Sequence, residues 1–252
     1  MGESLSLDGV KVLVVGASSG IGRAYATSAH ALGADVCVSS RRAEALQDLC
    51  DELGAGHVVA ADVTRPGKAE EVVARAVELM GGLDVVLYAA GYATLGPQRT
   101  SAVDDWMVPY EVNVIGPAMV TQAAIEVLSP DGIVSFISSE SAGEVRWGLG
   151  PYAASKSALD TSIRYWRHEH PERRFQRVIM GATMPTGFGD LMGASEHLST
   201  ALERWAAVGI SGTVMHVDDV GRHLAEITAL MLAHPEIDLP DIYLDPRGVA
   251  EG

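Results

Sequence analysis

The chain has 252 residues, 48% of them hydrophobic and 20% charged, an ordinary balance for a folded domain. Its formal net charge of −15 argues against a binder of nucleic-acid phosphates and against attachment to an anionic membrane surface. Two cysteines, Cys37 and Cys50, make neither a disulfide framework nor a C-x-x-C zinc pattern, and no apolar run is long enough to span a bilayer, so a reducing, cytoplasmic setting is expected.

Strand-like and helix-like stretches alternate along the chain. Residues 10–15, V-K-V-L-V-V, form a short β-branched run that reads as a strand buried on both faces. Residues 16–22, G-A-S-S-G-I-G, form a glycine-rich turn, and a helix over 23–32 follows, stopped by Gly33. Strands are predicted over 35–39, 57–60 and 84–87, with helices over 43–53 and 68–80 between them. A long helical stretch over 103–128 contains Pro109, Gly116 and Pro117, which bend or delay it. A strand over 132–137, a helix over 152–169 and a strand over 177–180 come next. Residues 183–216 read as irregular, before a helix over 217–233 and a last strand over 242–244. The alternation predicts an α/β fold, a doubly wound parallel sheet with helices on both faces. No repeat or linker divides it, so residues 1–252 are read as one domain.

The turn at Gly16, Gly20 and Gly22 lies between a predicted strand and a predicted helix. One glycine permits a tight turn, one lets the backbone approach a pyrophosphate, and one lets the helix pack on the strand. Ser18, Ser19 and Ile21 complete the motif, and the helix N-terminus offers its free N–H groups to phosphate. The turn is therefore expected to be the nucleotide turn of a Rossmann fold, the alternative being a glycine-rich turn with no ligand. About twenty residues beyond Gly22, where an acid would read the ribose 2′-hydroxyl of NAD, stand Ser40, Arg41 and Arg42. Two guanidinium groups there suit the 2′-phosphate of NADP, so NADP is expected in preference to NAD. Asp62, followed by Val63, is placed to bond the adenine amino group, or to cap the turn before Thr64.

Tyr152 and Lys156 are four residues apart on a predicted helix, so they share one face. A phenol is a poor acid–base group at neutral pH, and a nearby ammonium lowers its pKa. Ser139 ends the preceding strand, with a hydroxyl able to hold a carbonyl oxygen against the phenol. Together with the glycine turn, these residues resemble the short-chain dehydrogenase/reductase family. The matching pieces are the turn at residues 16–22, Asp62 and Val63, Ala90 and Gly91, Asn113 and Val114, Ile137 to Ser139, the Tyr152/Lys156 pair, and Thr186. They cover residues 8–186 in family order.

The resemblance implies roles. Tyr152 would be the general acid, Lys156 would lower its pKa and hold the nicotinamide ribose, and Ser139 would polarise the substrate oxygen. Asn113 would support a proton-relaying water. Ala90 and Gly91 would let the backbone approach the cofactor, and Thr186 would bind its phosphates or carboxamide. The expected function is NADP-dependent interconversion of a ketone or aldehyde with an alcohol, in a homo-dimer or homo-tetramer packed through the helices over 103–128 and 152–169. The alternative is a dinucleotide-sensing binding protein without chemistry. No partner nucleic acid, membrane or metal is expected.

Four places depart from the family pattern: Val15 before the first glycine, Tyr88 and Ala89 before Ala90, Gly181 and Ala182 after the sixth strand, and Leu244 to Gly248 near the end. Residues 184–214 interleave Phe188, Leu191, Met192, Leu198, Leu202, Trp205 and Ile210 with glycines at 187, 189, 193, 209 and 212. That composition suggests a lid over an apolar substrate, with Trp147 as the facing wall, or a segment packed on the protein or a partner subunit. Arg173, Arg174 and Arg177 read as a solvated turn between helix and strand.

Overall fold

The computed structural model describes residues 5–187, 192, 195–210 and 212–246. Seven strands, β1 (Lys11–Val15), β2 (Asp35–Ser40), β3 (His57–Ala60), β4 (Val85–Tyr88), β5 (Ile133–Ile137), β6 (Arg174–Met180) and β9 (Asp241–Leu244), form one sheet. Its order is β3-β2-β1-β4-β5-β6-β9, and every neighbouring pair runs parallel. The order reverses beside β1, where the chain leaves for β2 on one side and β4 lies on the other. In such sheets the crevice at the carboxyl ends of the strands, at this reversal, is where ligands sit.

The pleat sorts the residues of β1 between two cores. Val12 and Val14 pack with Tyr25, Ala29, Leu46 and Leu224. Leu13 and Val15 pack with Val72, Val86, Phe136 and Ile163. The first core is covered by α1 (Gly20–Ala31), α2 (Ala43–Leu53) and α8 (Val217–Ala233). The second is covered by α3 (Lys68–Met80), α5 (Gly116–Ala124) and α6 (Gly150–Glu169). Tyr25 of α1 donates a buried hydrogen bond to Thr228 of α8 at 3.1 Å. These two helices flank the glycine turn, so their fixed spacing positions it.

The long helix predicted over 103–128 is divided. An α-helical turn α4 (Val103–Tyr110) passes into a π-helical segment (Glu111–Ile115) before α5 resumes. The cause is a side chain inserted into the helical ladder. The Tyr88 hydroxyl donates to the Val112 carbonyl at 2.8 Å. A methyl group at Gly116 would come within 2.2 Å of that same hydroxyl. Among the described residues of the stretch over 183–216, regular elements occur where the composition reads as irregular. The stretch holds β7 (Thr183–Met184) and β8 (Met215–His216), paired in parallel, and the helix α7 (Leu198–Ala207). Arg174 and Arg177 belong to β6 and are not a solvated turn. Arg174 is buried and donates to the carbonyls of Met231 and Ile237, each at 2.9 Å. Among the described residues no helix is long and apolar enough to cross a membrane.

Candidate active site

The glycine turn is forced by contact. Gly16 has φ of 95°, and a Cβ there would stand 2.3 Å from the Ala90 backbone nitrogen. A Cβ on Gly22 would stand 2.5 Å from the Gly16 carbonyl oxygen, so α1 lies against the turn only because that position is bare. Helix α1 starts at Gly20, inside the motif and three residues before the predicted start, with no side chain capping it and no acid in its first turn. Its free N–H groups and positive dipole end point into a cleft of about 610 Å³ lined by Ser18, Ser19, Gly20, Thr186 and Gly187. Thr186 lies beside Gly20, where a Cβ would be 3.4 Å from its own. Ile21 and Val63 do not line the cleft: Ile21 packs on one core, and Val63 is buried in the other.

Arg42 reaches two of the serines that line this cleft. Its Nη2 donates to Ser19 Oγ at 2.7 Å and to Ser18 Oγ at 3.0 Å. Arg41 is exposed beside Asp62. Asp62 accepts from the Thr64 N–H at 3.1 Å and from its hydroxyl at 2.7 Å, so it caps this turn. Burial works against its charge. The two Thr64 bonds and the Arg41 and Arg65 guanidinium groups nevertheless hold its carboxyl below the usual range. Ala90 donates to the Val15 carbonyl at 3.0 Å. Gly91 has room: a Cβ there would be 3.7 Å from Asn113 Oδ1, an ordinary contact. A turn kept tight by bare glycines, a free helix start and the nearby Arg41 and Arg42 guanidinium groups fit a nicotinamide dinucleotide.

The second half of the site lies where β5 meets α6. The Ser139 hydroxyl stands beside the Tyr152 phenol and favours its ionised form, and Ser139 Oγ accepts from the Ser141 N–H at 3.2 Å. Lys156 Nζ lies 5.9 Å from the Tyr152 ring centre and donates to the Ile137 carbonyl at 2.7 Å. Both side chains are buried, Tyr152 at 6% and Lys156 at 3% exposure. Burial pushes the Tyr152 phenol up to about 12, against the pull of Ser139 and the Arg146 guanidinium. Burial also pushes the Lys156 ammonium down to about 8, with Asp160 opposing. Desolvation therefore outweighs the pull of Ser139 and Arg146, and Tyr152 holds its proton at neutral pH.

Asn113 sits in the π-helical segment, fully buried. Its Nδ2 donates to the Tyr92 carbonyl and to Ser155 Oγ, both at 2.9 Å, and its Oδ1 accepts from the Tyr92 N–H at 3.0 Å. Both amide hydrogens are committed, so the side chain ties the loop after β4 to α6. It makes no hydrogen bond to Lys156.

Over Tyr152 lies a third apolar cluster of Ala93, Leu95, Leu149, Ala201 and Trp205, with Trp147, Met192, Leu198 and Ile210 against it. Trp205 Nε1 donates to the Trp147 carbonyl at 3.0 Å, and Ser195 Oγ donates to the Leu95 carbonyl at 2.9 Å. Leu202 faces outward, half exposed. Phe188, Gly189, Leu191 and Gly193 lie outside the described residues. Two charged groups beside Tyr152 were not singled out from the sequence for this position: Arg146, paired with Glu140 at 2.5 Å, and Asp160. The i, i+4 spacing of Asp160 from Lys156 was the available signal.

Fold and site together define a Rossmann-type dinucleotide-binding domain. The short chain dehydrogenase family matches residues 10–197. The chain is 35% identical over 153 residues, 59% of its length, to an uncharacterized oxidoreductase of Staphylococcus aureus strain USA300, and the match spans 66% of that relative. A dehydrogenase/reductase from Sinorhizobium meliloti 1021 superposes with a TM-score of 0.80 at 27% identity, covering 96% of each chain. A short chain dehydrogenase from Burkholderia cenocepacia J2315, solved in complex with NADP, gives 0.79 at 28% identity, covering 95% of this chain and 97% of that one. The chain belongs to the short-chain dehydrogenase/reductase family, a family of NAD(P)-dependent oxidoreductases.

Proposed function

We propose that this protein reduces a ketone or aldehyde to an alcohol, or runs the reverse reaction, with NADP. The observation that carries the reading is the Ser139 hydroxyl beside the Tyr152 phenol, with Lys156 over the tyrosine ring, where β5 meets α6. When bound, the nicotinamide supplies or accepts the hydride. Ser139 holds the carbonyl oxygen against the Tyr152 hydroxyl. Tyr152 delivers its proton to that oxygen, and the Lys156 ammonium stabilises the phenolate left behind. Asn113 keeps the loop carrying Gly91 in register with α6. The turn at residues 16–22, Ala90 and Thr186 hold the dinucleotide, and Asp62 meets its adenine.

The rim cations Arg41 and Arg42 support NADP over NAD, because a 2′-phosphate dianion gains charge-assisted bonds there. The cluster over Tyr152 supports an apolar substrate, with residues 184–214 as its cover within one domain. Val103, Met107, Ile115 and Met119 on α4, the π-segment and α5, and Tyr165 on α6, are exposed. These unpartnered apolar side chains support a homo-dimer or homo-tetramer built on those helices. Cys37 and Cys50 are free and buried, which supports a reducing, cytoplasmic setting. The test is NADPH oxidation against a panel of ketones and aldehydes. Turnover of apolar carbonyls, lost in Tyr152→Phe, is the expected result. Dinucleotide binding with no turnover of any carbonyl or alcohol would leave only a sensing role.

A further inference from the structure

The end of β5 offers three consecutive residues to three different partners. The Ile137 carbonyl accepts from Lys156 Nζ. Ser138 donates its N–H to the Val178 carbonyl at 2.8 Å and its hydroxyl to Asp160 Oδ1 at 2.5 Å. Ser139 carries the hydroxyl that stands beside the Tyr152 phenol. Asp160 stands one helical turn beyond Lys156 on α6, with its side chain only 14% exposed. Its other oxygen accepts from Arg177 Nη1 at 2.9 Å. Arg177 is gripped in turn by Asp241 of β9, Nε to Oδ1 at 3.1 Å and Nη2 to Oδ2 at 2.6 Å.

Lys156 therefore has a neutral carbonyl as its hydrogen-bond partner and Asp160 as its neighbouring carboxylate. A buried ammonium keeps its proton only where an opposite charge offsets the lost water. The other ionisable groups around the pair are Tyr152 on α6, Arg177 on β6 and Asp241 on β9. Glu140, Glu144 and Asp245 line the adjoining cavity of about 350 Å³, and Arg146 pairs with the first two.

We propose that Asp160 is a positioning residue of this site: it ties the end of β5 to α6 through Ser138, and its carboxylate, oriented by Arg177, balances the Lys156 ammonium. The inference rests on the catalytic reading above for its effect on turnover, but not for its effect on Lys156 itself. Arg177 has two tasks here. It aims the carboxylate, and its own charge offsets part of what Lys156 feels.

The chain has three lysines, Lys11, Lys68 and Lys156, so protein labelled with ¹³C at lysine Cε gives three signals to follow by NMR. The signal missing from Lys156→Arg identifies Lys156. Asp160→Asn keeps the shape and removes the charge, and is expected to lower the Lys156 midpoint by about one pH unit. Arg177→Gln is expected to raise it. The alkaline limb of kcat, read by NADPH oxidation with an aryl ketone, should move down with Asp160→Asn, and Asp160→Glu should restore it. A purely structural role would lower kcat at every pH without moving the limb. An unmoved Lys156 midpoint in folded Asp160→Asn overturns the proposal, as does a moved midpoint with an unmoved limb. Should Asp160→Asn not fold, Arg177→Gln decides by the same signal: a rise supports the charge balance, and no change overturns it. If Tyr152→Phe keeps full turnover, the catalytic reading fails, while the NMR midpoint still tests the charge balance between Asp160 and Lys156.

Discussion

Arg42 is bonded to Ser19 at 2.7 Å, which holds its guanidinium against the glycine turn. An arginine already oriented loses little side-chain freedom when a phosphate binds. NADPH is therefore expected to bind more tightly than NADH. Each charge-assisted contact is worth about 1.5–3 kcal/mol, or about 10- to 150-fold. Arg41→Ala with Arg42→Ala should remove most of the preference, and fluorescence titration of both cofactors measures it. Equal affinity of the unaltered protein for the two would count against the rim.

Tyr152→Phe removes one oxygen and leaves the ring in its apolar cluster. Turnover is expected to drop at least about 100-fold, the scale of a positioned proton donor. NADPH affinity should barely change, because the hydroxyl faces Ser139 and not the glycine turn.

Alkaline pH should slow carbonyl reduction. The Lys156 ammonium loses its proton as pH rises through about 8, and with it the charge that stabilises a Tyr152 phenolate. The linked effect on stability has the opposite sign. Between about 8 and 10.5 the unfolded chain holds a proton that folded Lys156 has released, so this group makes the fold more stable as pH rises. Tyr152 works the other way from 10 to about 12, where the folded protein keeps the proton. A pH profile of kcat and denaturant melts across the same range separate the two.

Gly16→Ala puts a methyl group 2.3 Å from the Ala90 nitrogen at a backbone angle that side chains avoid. The conformation alone costs about 1–3 kcal/mol. A lower Tm and loss of dinucleotide binding are expected together, by calorimetry and titration.

Trp205→Ala should loosen the cover over Tyr152. Core truncations of this size cost about 3–5 kcal/mol where the gap cannot collapse. Faster proteolysis within residues 195–210, and a lower kcat/KM for bulky apolar ketones than for small ones, are the expected readouts. Cofactor and a substrate analogue together should protect the same segment in the unaltered protein.

The order of strands and helices was legible because β-branched runs and glycine stops repeat at regular spacing, and helices at Ala43–Leu53, Lys68–Met80 and Val217–Ala233 fall where the pattern puts them. Helix α7 was hidden by the glycines on either side of it, although Ala201 and Trp205 have helical spacing and are both buried. Tyr88 reads in sequence as a departure from the family pattern. In the fold it accounts for the π-helical segment that carries Asn113, a relation between residues that no local pattern encodes. Arg174 and Arg177 resembled a solvated turn because their partners, Met231, Ile237 and Asp241, are far along the chain. The residues proposed for chemistry stood out in the sequence only through the joint pattern that resembles the family, and the balance of burial against charge at Tyr152 and Lys156 depends on what the fold packs around them.

Ser138 and Ser139 are chemically identical neighbours with partners on different sides of the chain, Asp160 for one and Tyr152 for the other. Successive residues at a strand end face opposite ways, so a slip of one position would trade every partner at once. The carbonyl that holds Lys156 would move with them. A single-residue insertion or deletion at this point would therefore silence the enzyme even in a protein that still folds. Most surface loops tolerate such changes in length, and this short stretch is expected not to.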